Sequence, residues 1–298
     1  MADINTEESV VCEQREFAQQ IRTALKEGTL VICAGAGVSL FATADASGRI
    51  HQQSLTWLRL MRNGFDYTEE HLPSAYNDSD NNNRIQKARA ILDVPDRQYS
   101  EADEASYLDA TQTLADILKP FPDSVADWLR QQFQTLDESF THPEIHEVLK
   151  RLHQQGAQLM TTNYDHLIEH HCGLTPKDGN NGVFHPHGEW QHPNGVILDT
   201  REYYALADND NRAKNLLRDT FRSKTVLFVG CGPGTGDPNF GEMLRWLGSQ
   251  KDIGRSHYIL LRHRDNYREV EGRLPLVKVR VETVDDIPRW LEGLLESA

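Results

Sequence analysis

Cysteine is scarce in this chain. The 298 residues hold only four, Cys12, Cys33, Cys172 and Cys231, far apart and never as a CxxC pair. A thiolate zinc site wants closely spaced ligand pairs, and a secreted disulfide framework wants dense cysteines in a short chain. Neither pattern is present, so the thiols read as reduced and mostly buried, and no metal is expected. Long apolar runs are missing too, since nothing approaches the ~18–20 residues that span a bilayer. The N-terminus, MADINTEESVVCEQRE, has no basic n-region and no apolar h-region, so it does not read as a signal peptide and a cytoplasmic location is expected. Positive charge is in deficit: 31 Lys and Arg face 45 Asp and Glu, a formal net charge of −14. Such a surface repels anionic membranes and nucleic acid, and no direct binding to either is expected. The local exception Arg212-Ala213-Lys214 reads as one solvated face of a helix.

What is present is ordinary for a globular protein, with 38% hydrophobic and 26% charged residues. A chain of this length buries roughly three quarters of the surface its unfolded form exposes, so it needs no staples. Residues 1–298 are expected to form a single domain. Phe17, Ile21, Ala24 and Leu25 recur at helical spacing and Gly28 is a stop signal. Thr29 to Cys33 is a short apolar run of the kind that forms a buried parallel strand. Residues 62–140 then break the rhythm and predict a helical insertion, with helices at Ala88–Leu92, Tyr107–Leu118 and Ser124–Phe133 and a loop at Ser74–Asn83. The alternation returns with a helix over His142–Gln155, a strand over Ala157–Thr161 and a helix over Asp165–His171. Thr225–Val229, His257–Leu261 and Val277–Val281 have the length and β-branched content of core strands, and Gly241–Leu247 and Ile287–Leu295 read as helices. This pattern predicts an α/β fold with a Rossmann-like, doubly wound, mostly parallel sheet. No internal repeat is seen.

Four segments carry candidate chemistry. Gly35-Ala36-Gly37-Val38-Ser39 follows the first strand. Glycines there let a backbone approach a pyrophosphate, the next helix offers free N–H groups, and Ser39 can cap that helix or bond a phosphate oxygen. The third glycine of the GxGxxG fingerprint is missing, and no acidic residue follows a second strand ~20 residues on. Thr161-Thr162-Asn163-Tyr164-Asp165 leaves a strand where ligands bind in open α/β sheets, although Asn and Asp at such a place also cap helices. Val183-Phe184-His185-Pro186-His187-Gly188 reads as a loop whose His187, beside a glycine, suits proton transfer near neutral pH or is simply a core histidine. Finally Gly230-Cys231-Gly232, continuing to Gly236-Asp237-Pro238-Asn239, ends a second strand in glycines, as a ligand loop or a structural turn.

GAGxS, then TxNxD after a strand, then HG, then a strand with VGxG and DPN, in that order, resembles the sirtuin-like superfamily, and most of all its bacterial NAD⁺-consuming branch. Leu55-Thr56-Trp57-Leu58-Arg59-Leu60 is similar to the sWxxLl helix that follows the glycine loop there. The resemblance covers roughly residues 28–62 and 142–285. Two features of the protein deacylases are absent. Leu40-Phe41-Ala42-Thr43-Ala44 stands where they carry a GIPDFR-like stretch, and only Cys231 follows the HG histidine where they carry a four-cysteine zinc module. The resemblance therefore implies an NAD⁺ glycohydrolase that delivers water, not a peptide acyl oxygen, to the ribose. It implies NAD⁺ as substrate, with Asn163, His187 and Asp165 in the catalytic roles. Gly35, Ala36, Gly37, Ser39, Thr161, Gly230, Cys231, Gly232, Asp237 and Asn239 would line the dinucleotide site. It further implies a gated effector that depletes NAD⁺ in anti-phage defence, as a homo-oligomer or with a partner in trans such as a HerA-type hexameric ATPase or a short Argonaute. The alternatives are a non-catalytic NAD⁺ or ADP-ribose sensing module, and an ADP-ribosyltransferase or deacylase.

Overall fold

A computed structural model describes residues 2–45, 55–94, 103–118, 120–176, 182–198, 212–232 and 237–296. Helix α1 (Ala2–Lys26) leads into β1 (Leu30–Ala34) and the short α2 (Ala36–Ala42). Helices α3 (Trp57–His71), α4 (Ser79–Leu92), α5 (Glu104–Leu118) and α6 (Pro122–Phe133) follow with no strand among the described residues. The alternation resumes with α7 (Glu144–Gln154), β2 (Gln158–Thr161), α8 (Leu167–Cys172) and β3 (Val183–Phe184). It finishes with α9 (Arg212–Ser223), β4 (Thr225–Val229), α10 (Pro238–Gly248), β5 (Tyr258–Arg262), β6 (Val277–Val281) and α11 (Asp286–Glu292).

The strands form one six-stranded sheet in the order β3-β2-β1-β4-β5-β6, and every pairing is parallel. Apolar residues run continuously along the central strands because both faces are covered. On β1, Leu30, Ile32 and Ala34 face one core while Val31 and Cys33 face another, and β4 divides Leu227 and Val229 from Val226 and Phe228 in the same way. Helices α1, α7, α8 and α11 cover the first face through residues such as Ile21, Leu149, Ile168 and Leu291. Helices α9 and α10 cover the second through Phe221, Met243 and Leu247. This is the expected doubly wound α/β fold. The strand order reverses between β1 and β4, and that reversal opens a crevice beyond their carboxyl ends.

Helices α3 to α6 share a third core with Phe65, Leu114 and Trp128 at its centre, and Tyr164, Val196 and Leu198 from the strand-end loops and Leu167 from the start of α8 join it. The helical layer is thus packed onto the rim of the sheet where the crevice lies. A buried ion pair, Arg273 with Glu104, ties α5 to the segment before β6, with both side chains only 7% exposed.

Two local expectations are corrected. Ser74–Asn83 is not a loop: a 3₁₀ turn spans Pro73–Tyr76 and α4 starts at Ser79. The polar run nucleates the helix, since the Asp78 carboxylate accepts the N–H groups of Asp80 and Asn81, and Ile85, Ala88 and Leu92 then bury one face. Likewise Val183–Phe184 is an edge strand, pairing Leu159 with Val183 and Met160 with Phe184. At two residues it is too short to show any periodicity. Among the described residues no helix is long and apolar enough to cross a membrane.

The helical layer depends on its aromatic centre. Trp128→Ala, at a fully buried position, is expected to cost about 3–5 kcal/mol in urea unfolding. Phe121→Ala, at a residue 39% exposed just before α6, is expected to cost less than ~1 kcal/mol.

Candidate functional site

The two glycine turns at the strand-order reversal pack directly on one another. Gly35 donates its N–H to Val229 O at 2.8 Å and Gly37 donates to Gly230 O at 2.9 Å. A Cβ on Gly37 would stand 2.8 Å from Gly230 Cα, and one on Gly230, at φ +72°, would stand 2.6 Å from Val38 N. These glycines therefore make room first for each other. The expectation of a row of free N–H groups at the start of α2 is corrected: Gly37 N–H is spent on Gly230, and Val38 N–H on Gly35 O. Of that turn, Ala36 is the residue that reaches the cleft. Cys231 is buried against Gly35, its thiol directed toward Cys33 O and Val229 O. Burial, with Cys33 beside it, pushes that thiol well up, so it is a packing group rather than a nucleophile. A Cβ on Gly232 would stand 3.7 Å from Asp265 Oδ2 and 3.8 Å from Leu261 Cδ2, in ordinary contact.

Contact between the turns holds α2 so that Ser39, 1% exposed, faces the end of β2. Ser39 Oγ donates to Asp165 Oδ2 at 2.8 Å and accepts from Asn163 Nδ2 at 2.9 Å. One hydroxyl hydrogen can go only one way, so the Asn163 amide is fixed with its nitrogen toward Ser39 and its oxygen away. Asp165 Oδ1 also accepts the Leu167 N–H at 3.1 Å, which secures the start of α8. Burial raises the Asp165 pKa, and the hydrogen bonds from Ser39 and Leu167 oppose that rise. Thr161 lies behind this layer, its hydroxyl donating to Ala34 O and accepting the Asn163 N–H. It is scaffold, not lining.

The HG segment comes to the same rim. His187 is 1% exposed, and its ring contacts the backbone of Thr162, next to Asn163. Burial lowers its pKa to about 4, with the His185 charge adding to the effect, so the imidazole is neutral at physiological pH. Gly188, at φ +79°, leaves no space for a ligand: an added Cβ would meet Gly195 O at 2.2 Å. Its bare α-carbon serves a backbone crossing. Sequence reasoning passed over His185, whose Nδ1 donates to Asn163 O at 3.0 Å and whose Nε2 meets Glu169. His166 and Glu169 join it in a buried group whose ligand-capable atoms lie within 4.8 Å of one another. The overlooked signal was His166-x-x-Glu169, which puts an N-cap residue and a first-turn carboxylate side by side at the start of α8.

Between these elements and the helical layer lies a cleft of about 380 Å³, part of it open solvent. Its polar side is Thr162, Asn163, Asp165 and Asp237, and its apolar side is Leu55, Trp57, Leu60, Phe133 and Tyr164. No Lys or Arg is among the described lining residues. Asp237 caps α10 by accepting the Asn239 N–H at 3.0 Å. Asn239 itself is buried and donates to Ile197 O at 3.3 Å, so it braces the wall behind the cleft. Gly236 falls outside the described residues.

Residues 157–279 match the family model described as SIR2-like domain. The matched stretch runs from β2 to β6 and so contains Asn163, Asp165, His187 and Asp237. It supports a sirtuin-like family for this chain. The glycine turn at Gly35–Ser39 and the Trp57 helix precede the match and meet it in space at the cleft.

Desolvation pushes the Asp237 carboxyl up to about 7, above its ordinary 3.8. A raised folded-state pKa means the folded protein holds a proton that the unfolded chain has released, so stability falls as pH rises from about 4 to 7 and then levels off. Asp237→Asn keeps a good helix cap and removes that ionisation. Its melting temperature relative to wild type is expected to climb as the pH is taken from 4 to 8. A difference independent of pH would show that Asp237 ionises normally.

Proposed function

We propose that this protein binds NAD⁺ in the cleft and hydrolyses its nicotinamide–ribose bond to give nicotinamide and ADP-ribose. The observation that carries the reading is the Asn163 amide, oriented by Ser39 and Asp165 in an acidic, aromatic-walled cleft at the strand-order reversal. SIR2-like domains use NAD⁺, and the family match favours an NAD-dependent enzyme. The cleft chemistry suits one end of that molecule. Nicotinamide in NAD⁺ is a cationic pyridinium, which favours carboxylates and aromatic faces over Lys or Arg. Asp165, Asp237, Trp57, Tyr164 and Phe133 supply such surroundings.

In this mechanism the C–N bond breaks with its electron pair leaving on nicotinamide, and the ribose becomes oxocarbenium-like. Asn163 holds the water or a ribose hydroxyl through its free amide oxygen. Water adds to the anomeric carbon and His187, held neutral, takes its proton. Asp165 orients Asn163 through Ser39 and stands beside the nicotinamide half. Ala36 marks where the pyrophosphate passes the first glycine turn, and Gly230–Gly232 borders the adenosine side. Thr161, Cys231 and Asn239 act through the scaffold. Unrestrained turnover would drain a cell of NAD⁺. We therefore place the protein as a gated effector of anti-phage defence, restrained by self-assembly or by a partner in trans such as a HerA-type ATPase or a short Argonaute.

Purified protein incubated with NAD⁺ is expected to release free ADP-ribose, quantified by chromatography. Asn163→Ala and His187→Ala are each expected to lower turnover at least ~100-fold while melting cooperatively. Undiminished turnover in both variants would remove their roles. Tight NAD⁺ binding with no product, alone or with its partner, would instead favour the sensing module.

A further inference from the structure

Beside the cleft, on its β3 side, lies a second group of side chains that the proposed hydrolysis does not use. His166 is the N-cap residue of α8, Glu169 lies in its first turn, and His185 follows β3. Their candidate ligand atoms lie within 4.8 Å of one another. All are withdrawn from water: His166 is 4% exposed, Glu169 2%, and the His185 side chain 5%. Glu189, also buried, places Oε2 2.9 Å from His166 Nε2.

We propose that His166, Glu169 and His185 bind a divalent transition-metal ion of the zinc type, with Glu189 as the nearest further oxygen donor. Three observations carry this. First, His185 Nδ1 donates to Asn163 O at 3.0 Å. That bond turns Nε2 toward Glu169, where a metal ion would take the place of the proton the two now share, and ligating histidines commonly make such a bond from the other ring nitrogen. Second, Glu169 Oε2 is buried with no hydrogen-bond partner among the described residues, although it belongs to a side chain with almost no contact with water. An unsatisfied buried carboxylate oxygen is costly, and a cation satisfies it. Third, the charges balance. Two buried carboxylates neutralise one dication and leave both imidazoles neutral as ligands. Two imidazoles with carboxylate favour zinc or a neighbour in the transition series over magnesium or calcium, which take all-oxygen sites.

The site would be a staple. It joins α8 to the end of β3, and through the His185–Asn163 hydrogen bond it fixes the backbone that presents the Asn163 amide. Four-cysteine spacing plays no part, so a search for thiolate pairs does not find it.

The test uses the full chain without a polyhistidine tag, and no NAD⁺, so its outcome is separate from that of the hydrolysis assay. Protein stripped with a chelator and then titrated with Zn²⁺ is expected to retain about one zinc per chain after dialysis, by elemental analysis. Its melting temperature is expected to rise by roughly 5 °C with zinc in excess. Co²⁺ in place of zinc is expected to give the visible absorption of a site with nitrogen and oxygen ligands. Glu169→Gln and His166→Ala should lose the zinc and the shift, whereas His263→Ala, at an exposed histidine remote in sequence, should keep both. The stripped wild type reads the result even if a variant fails to fold. Wild type that keeps no zinc and shows no shift overturns the proposal, as does stoichiometric binding that survives both ligand substitutions.

Discussion

The cleft depends on the contact between two glycine turns. Sheet order brings the carboxyl ends of β1 and β4 side by side, and both chains must leave the sheet there. Side chains on Gly37 or Gly230 would drive the turns apart, because the backbones approach to within what a single Cβ would fill. The bond from Gly37 N–H to Gly230 O then sets the direction of α2. From that direction follows the reach of Ser39 across β1 to the end of β2, and from Ser39 the orientation of Asn163. A residue that would touch substrate is thus placed by atoms that would not.

The helical layer completes what the sheet leaves open. A crevice at a strand-order reversal is wide and wet unless something closes one side. Here Leu55 just before α3 and Trp57 and Leu60 in its first turn, with Phe133 at the end of α6, form an apolar wall opposite the strand-end polar groups. Tyr164 belongs to both, lining the cleft while its hydroxyl donates to Ile197 O at 2.7 Å. Exclusion of water on one side and fixed dipoles on the other suit a reaction in which positive charge moves from a leaving ring to a sugar. The Arg273–Glu104 pair holds the layer in place from a distance, at a position where neither side chain is open to solvent.

Elements that repeat a pattern were legible in the sequence. Thr225–Val229 was readable to the residue because an apolar strand buried on both faces is unbroken, and Val277–Val281 because its valines alternate with Lys278 and Arg280. The polar run before Ile85 hid the start of α4, since capping by Asp78 looks like loop composition until the helix is seen. At the site, the order of the glycine and Asn motifs was visible, but the purpose of each glycine was not. Gly35 and Gly37 read as openings for a ligand and are, like Gly188, close approaches of backbone to backbone. One sequence shows that a side chain is missing; only coordinates show what occupies the space. Thr161 precedes the lining residue Thr162 yet turns inward, as alternation along a strand requires, and Cys231 and Asn239 are likewise buried behind the cleft.

The remaining weak point is β3. Two residues of parallel pairing at a sheet edge cannot hold a loop by backbone hydrogen bonds alone. Yet His185 and His187 follow that strand directly, and a shift of one residue would turn each ring to the other face. Register has to be supplied from outside the ladder. Ile197 N–H binds His187 O at 2.9 Å, Trp190 N–H binds Tyr164 O at 3.0 Å, and the bare α-carbon of Gly188 lets residue 195 cross behind. His185 adds the side-chain clamp between Asn163 O and Glu169. The concentration of buried histidine and glutamate at this edge is then a structural necessity before it is a chemical one: where the sheet is thinnest, polar side chains do the work of a longer strand.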